Sequence, residues 1–157
     1  MSTGSSNMIK LFKSWNGLTE KNGVQSKIIK PYNKLTGRAL NCKTTPWCQI
    51  AVVSCIYQSK AVKKGKYSTT SGCLQAQSWY RKKKRLKKRG VTPSLAWQVF
   101  YDFKGKGKPT HTGIIIAINK KKKTITVVEG NKKNAVGYRT ISWSSKYILS
   151  YGIPYYV

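Results

Sequence analysis

Acidic side chains are almost missing from this chain. Of its 157 residues only Glu20, Asp102 and Glu129 carry a carboxylate, against 31 lysines and arginines, for a formal charge of +28. Such a surface seeks polyanions, whether nucleic acid, anionic lipid or the phosphate-rich polymers of a bacterial wall. With no acidic cluster there is nothing to build a calcium loop. Histidine is scarcer still: His111 stands alone, and Cys42, Cys48, Cys55 and Cys73 are spaced in no zinc pattern, so neither metal nor cofactor is expected. A chain of this length needs no disulfide staples, and a reduced cysteine set is the expectation. No apolar stretch approaches about 18 residues, and the start MSTGSSNMIK lacks the basic and then apolar run of a signal peptide, so a soluble chain without a targeting segment is expected.

What is present is enough to fold. Hydrophobic residues make up 39% and aromatics 11%, which separates the chain from disordered polybasic tails and fits one domain over residues 1–157. Met8, Ile9, Leu11, Phe12 and Trp15 predict a short amphipathic helix over 7–16, and 21–45 reads as irregular. Pro46 disfavours helix at Thr45 and suits the first turn of a helix after it. From Trp47 to about Ala61 the residues are apolar nearly all round, the pattern of a buried central helix. A further helix is predicted from about 71 or 72 to 88, ending in the basic run RKKKRLKKRG. After Pro93 the texture turns to strands at 96–103, 111–118, 124–131, 136–143 and 147–156. Helices first and then an antiparallel sheet make an α+β plan.

Strands 111–118 and 124–131 are joined by a short polar loop, which predicts an antiparallel hairpin. Symmetry about Lys121 pairs residue i with 242 − i, setting His111 opposite Asn131 and diagonal to Glu129. All three then share a face with Gly113, Ile115, Ala117, Ile125 and Val127, the apolar side expected against a helix. Cys48 falls in the first turn of the central helix, where the dipole favours a thiolate. Together these residues supply a nucleophile, a base and an orienting group, and the backbone N–H of Cys48 offers part of an oxyanion hole. Cys42, Cys55 and Cys73 read as structural.

The segments PWCQIAVVSC, SWYRKKK, VTPSLAWQVFYDFKGKGKPTHTGIII, ITVVEGN and YILSYGIPYY resemble a CHAP domain over about residues 40–156, leaving 1–39 as a helical and irregular N-terminal part. CHAP domains are the cysteine- and histidine-dependent amidohydrolase/peptidase modules of bacterial and phage cell-wall lysins. The resemblance implies a papain-like α+β fold, Cys48 as nucleophile, His111 as base, Glu129 as the group that orients it and Asn131 as a further polar partner. Trp47 is the expected aromatic lining of the substrate cleft. Gln49 stands where the family usually has alanine and is expected to shape the groove, and Pro93-Ser94-Leu95-Ala96 replaces the usual proline-glycine-aspartate turn.

On this reading the chain cleaves an amide of peptidoglycan, either between sugar and stem peptide or within the peptide or cross-bridge, and its charge holds it on anionic wall polymers. It would be made in the cytoplasm and reach the wall by holin-type release or on a virion, as a monomer unless virion-associated. The alternatives are a virion or nucleic-acid-binding protein whose basic runs 81–89 and 120–123 contact phosphates non-specifically, and a delivered toxin using the same cysteine site on another amide.

Overall fold

The computed structural model describes residues 1–157. The first helix, α1 (Thr3–Ser14), begins earlier than its apolar spacing suggests because Ser2 caps it, accepting the Ser5 N–H at 3.2 Å. Where the sequence predicted irregular structure, a π-helical turn (Gln25–Ile29) runs into α2 (Lys30–Thr36). Ile28, Ile29 and Tyr32 bury the inner side of this segment, and Pro31 stands at the junction where the π-helical turn, closed by the Lys30 N–H on the Gln25 carbonyl, passes into α2. The central helix α3 (Cys48–Ser59) is buried at every position from Cys48 to Ile56. It lies between α1 and α2 on one side and the sheet on the other.

The next helix, α4 (Cys73–Lys82), is shorter than predicted, and Leu86–Lys88 forms strand β1 instead. A helix continued through RKKKRLKKRG would stack like charges at i and i+4. The chain turns instead at Lys84, whose φ is 58°, and the following backbone pairs with Ser150, Tyr151 and Gly152.

The remaining strands are β2 (Gln98–Tyr101), β3 (His111–Asn119), β4 (Thr124–Lys132), β5 (Ala135–Ser142) and β6 (Ile148–Gly152). They form one six-stranded sheet in the order β1-β6-β2-β3-β4-β5, antiparallel throughout. The α+β plan is therefore the observed one. One sheet face packs Ile114 and Val128 against α3; the other carries Val99, Tyr101, Ile115, Val127 and Tyr151 as a second cluster. This corrects the expectation that the face bearing Ile115 and Val127 lies on a helix. Side chains alternate, so Ile114 takes the helical side and Gly113 and Ile115 the other.

The hairpin register agrees with the expectation on two rungs and departs from it toward the loop. Ile114 opposes Val128 and Ile115 opposes Val127, as symmetry about Lys121 requires, but Ala117 opposes Thr126 and Asn119 opposes Thr124, one residue out of step. A bulge at Ile116 absorbs the extra residue, so the lysine loop is displaced; the paired ladder ends at Ile114 and Val128, short of the expected His111–Asn131 pair, and Glu129 meets His111 through its side chain. Two glycines set how closely the layers approach. A Cβ at Gly130 would stand 2.6 Å from Ala51 Cβ and 3.0 Å from the Trp47 ring, and one at Gly113 would stand 2.8 Å from Glu129 Cγ.

Candidate active site

Each of the three carboxylates has a definite post. Glu20 accepts the Trp47 indole N–H at 3.1 Å, tying the chain before α3 to the residues that follow α1. Asp102 closes the loop after β2 by accepting the N–H of Lys106 at 3.1 Å and of Gly107 at 2.7 Å. Those N–H groups hold its carboxyl below the usual range against the opposing effect of desolvation. Glu129 is fully buried beside the only histidine.

Cys48 is the first residue of α3 and is 7% exposed. Its Sγ lies 3.6 Å from Cys73 Sγ, at the first residue of α4. The hydrogen bond from Cys73 is the largest cause that brings the Cys48 thiol down to about 5; burial opposes it, and hydrogen bonding and charge from His111, then the Gln49 N–H, add to it. Cys73 moves the opposite way and stays a neutral thiol, because it is the donor in that bond and is buried beside the thiolate.

His111 is the first residue of β3, so its ring stands at a strand end with its side chain 13% exposed. Nε2 lies 3.0 Å from Glu129 Oε1. Glu129 is ionised, so Nε2 donates this bond and Nδ1 is left for the cysteine side. Burial alone would depress His111, but hydrogen bonds to Cys48 and Glu129 and the charges of both raise it to about 9. Between the two values the resting pair is a thiolate and an imidazolium.

Burial would likewise raise Glu129, yet the hydrogen bonds from His111 and Arg139 and the imidazolium charge lower it. Arg139 Nε donates to both carboxylate oxygens, at 3.1 and 2.9 Å. Its guanidinium also lies over the rings of Phe103, at 4.8 Å, and Tyr101, at 5.4 Å. The Tyr101 ring in turn stacks on the imidazole, with centroids 5.9 Å apart. Glu129 is therefore held by a cation that is itself held, and it can fix the imidazole plane.

The structure joins His111 to Glu129 through their 3.0 Å contact, and Cys48 stands near enough to His111 for each to shift the other's titration. Asn131 lines the same cleft as His111, a space of about 530 Å³ shared with Phe103, Lys132 and Arg139. Its backbone is left-handed, φ 58°, and its side chain makes no hydrogen bond to the imidazole.

Trp47 and Gln49 are corrections. Trp47 is completely buried, its ring pressed on Gly130 and its N–H spent on Glu20, so it cannot line a cleft. Gln49 is 2% exposed and accepts from Gln98 at 2.7 Å. Gln98 also donates to Thr112 and accepts from Tyr80, closing a polar network beneath the site. Trp47 turns inward just before α3, against Gly130 of β4, and Gln49 turns inward at the second residue of α3, toward Gln98 of β2.

The aromatics that do stand at the site are Phe103 and Tyr147, 36% and 41% exposed and 5.6 Å apart, with Phe103 6.1 Å from the imidazole. Replacing Trp47 with alanine should therefore destabilise the protein by about 3–5 kcal/mol in chemical denaturation. Phe103→Ala should leave stability within about 1 kcal/mol and raise KM instead, because it removes a half-exposed ring beside the reacting groups.

Sequence reasoning missed Arg139 and Cys73. Arg139 was within reach, since β4 and β5 pair with Glu129 opposite Gly137 and Val127 opposite Arg139. That register makes Arg139 the diagonal neighbour of Glu129. Cys73 left no such signal, because its place depends on how α4 packs against α3.

The arrangement suits attack by sulfur on a carbonyl carbon, with the first N–H groups of α3 near the oxygen that would gain charge. No protein-family model matches the sequence, and no curated protein matches it. The fold is similar to that of a crystal structure described as an N-acetylmuramoyl-L-alanine amidase from Staphylococcus aureus, at TM-score 0.51 and 17% identity over 69% of this chain and 30% of that one. It is also similar to Ly7917, solved with the hydrolysis product of MDP, at TM-score 0.55 and 13% identity over 96% of this chain and 62% of that one. The chain thus spans less than two thirds of either protein, and at these identities the likeness is one of fold.

Proposed function

We propose that the protein is a cysteine hydrolase of the CHAP type, papain-like in fold, that cleaves an amide bond of peptidoglycan. The observation that carries this reading is the 3.0 Å contact between the His111 imidazole and the buried Glu129 carboxylate, with Cys48 at the start of α3 near enough to His111 to shift its titration. The fold likeness to a protein described as a muramoyl-alanine amidase and to Ly7917 with its hydrolysed ligand supports peptidoglycan as the substrate class.

In the reaction the Cys48 thiolate adds to the carbonyl carbon, and N–H groups at the start of α3 receive the oxyanion. His111 gives its proton to the amine as the carbon–nitrogen bond breaks, leaving a thioester on Cys48. The neutral imidazole then takes a proton from water, whose oxygen attacks the thioester, and the acid departs with thiolate and imidazolium restored. Glu129 and Arg139 position the ring throughout. Asn131 and Phe103 face the cleft where substrate would lie. The protein would act at the wall, with delivery from the cytoplasm by release or on a virion.

Digestion of purified walls, followed by mass spectrometry of the soluble fragments, tests the proposal and names the bond. Free stem peptides would identify the amidase reaction, and new amino termini within peptides the endopeptidase reaction. Prior alkylation of the protein's thiols should stop either release. Fragments that appear equally after alkylation, or none from the untreated protein, would sink the reading.

A further inference from the structure

A groove of about 710 Å³ opens beside the site, between α4 and the strand pair β1–β6. Five of its lining side chains are cations: Arg81, Lys84, Lys88, Arg89 and Lys146. None is neutralised, since both ion pairs in the protein belong to Glu129. Arg89 is fixed by the carbonyls of Lys146 and Ile148, at 3.0 and 3.2 Å, so its charge has a set place. Asp102, the one acid on the rim, is turned onto the backbone of its own loop.

The groove also leads to the nucleophile. Gln77 lines it one helical turn beyond Cys73, and Ser150 lines it opposite Phe100, whose ring packs with Cys48 and Cys73.

We propose that this groove binds the phosphodiester backbone of an anionic wall polymer, a chain of polyol phosphates, and thereby lays the attached peptidoglycan across Cys48. The proposal rests on the wall-hydrolase reading. The choice over single-stranded nucleic acid follows from the lining: its apolar members are Leu86, Ile148 and Leu149. There is no aromatic side chain on which a base could stack, and stacking is what such grooves add to phosphate contacts. Repeating charge without bases matches what the groove offers.

Binding is measured by co-sedimentation of the inactive Cys48→Ala protein with walls, with and without their phosphate polymer stripped by hydrofluoric acid, over a range of salt. The result therefore stands whether or not the wall is cleaved. Lys84, Lys88 and Lys146 are exposed, so their joint change to glutamine should preserve the thermal transition. It should weaken binding to intact walls by about tenfold or more and flatten the salt dependence. The same change at Lys120, Lys121 and Lys122, on the β3–β4 loop, should leave both untouched. Equal losses in the two triple variants would make the binding diffuse, and an equal loss on stripped walls would make the ligand peptidoglycan itself. Loss of oligonucleotide binding with wall binding intact would make it nucleic acid. Each of these three outcomes overturns the proposal.

The sulfur pair carries a second inference independently. Cys48 and Cys73 begin separate helices with their sulfurs 3.6 Å apart, and both are nearly buried yet within reach of a small oxidant. We infer that Cys73 is a resolving thiol that protects the nucleophile from hydroperoxides. The Cys48 thiolate attacks the peroxide oxygen, the O–O bond breaks, and with one proton the products are a sulfenic acid and water or alcohol. The Cys73 thiol then attacks that sulfur, releasing water and forming a disulfide, which a dithiol reduces.

Treatment with one equivalent of hydrogen peroxide should give a Cys48–Cys73 crosslink by peptide mass spectrometry, reversed by dithiothreitol. Cys73→Ser should instead accumulate sulfinic acid on Cys48. Sulfinic acid on Cys48 in the unaltered protein, without crosslink, would refute the inference, and the readout is independent of hydrolysis.

Discussion

Replacing Cys48 with alanine should lower the rate of fragment release by about 10⁴-fold or more, and His111→Ala should cost nearly as much, with the double variant no worse than either. The two residues act as one unit, so removing either leaves only binding and the oxyanion donors. Glu129→Gln separates positioning from chemistry. Glutamine keeps the size and still accepts from Arg139, but it removes one of the two negative charges that act on the imidazolium, leaving that of the Cys48 thiolate. Turnover should fall by about 10²–10⁴-fold.

Stability should fall too, by about 3 kcal/mol, because Arg139 is left with a neutral partner; the loss is held to this level because Arg139 is partly exposed. The upper pH limit of the residual activity should drop as well, since His111 loses a cause of its raised value. A variant with unchanged stability and an unchanged pH profile would remove Glu129 from the site.

Much of this site is legible in the amino-acid sequence, and the reason is scarcity. One imidazole and three carboxylates leave few ways to pair them, and a hairpin register then sets Glu129 beside His111. That register survived an error of one residue only because the bulge at Ile116 lies between the lysine loop and the site. The helix of α3 and the five strands β2 to β6 followed from period and turn residues. What resisted was tertiary. A tryptophan next to a nucleophile reads as a cleft wall until packing shows Gly130 beneath it and Glu20 on its nitrogen. The run RKKKRLKKRG reads as a helix end until β6 offers its backbone a partner. Cys73 reads as structural until α4 is docked, and the exposed pair Phe103 and Tyr147 emerges only when the loops after β2 and β5 converge.

Turnover should follow a bell in pH with limbs near 5 and 9. Below about 5 Cys48 takes up a proton and ceases to be a nucleophile, and above about 9 His111 loses the proton needed by the leaving amine. The two limbs belong to the coupled pair, and about two pH units beyond either one the rate should be down about 100-fold.

Stability should trace a different curve. The folded value of Cys48 lies below its ordinary 9.0, so its contribution is complete above 9 and is lost as pH falls through about 5. The folded value of His111 lies above its ordinary 6.5, so its contribution is complete below 6.5 and is lost as pH rises through about 9. Between 6.5 and 9 these changes cancel. The unfolded chain carries the shared proton on sulfur and the folded protein carries it on the imidazole, so both bind the same number. Between 5 and 6.5 the unfolded chain binds one more, and stability should rise with pH by about 2 kcal/mol across that interval.

Denaturant titrations at a series of pH values should show this rise and then a plateau, while activity stays near its maximum through the whole window. Cys73→Ala removes the leading cause of the low Cys48 value, so it should move the acid limb of activity upward and shorten the rising segment of stability together. An acid limb unchanged in that variant would mean that Cys73 does not set the charge state of Cys48, and that the helix start and His111 suffice.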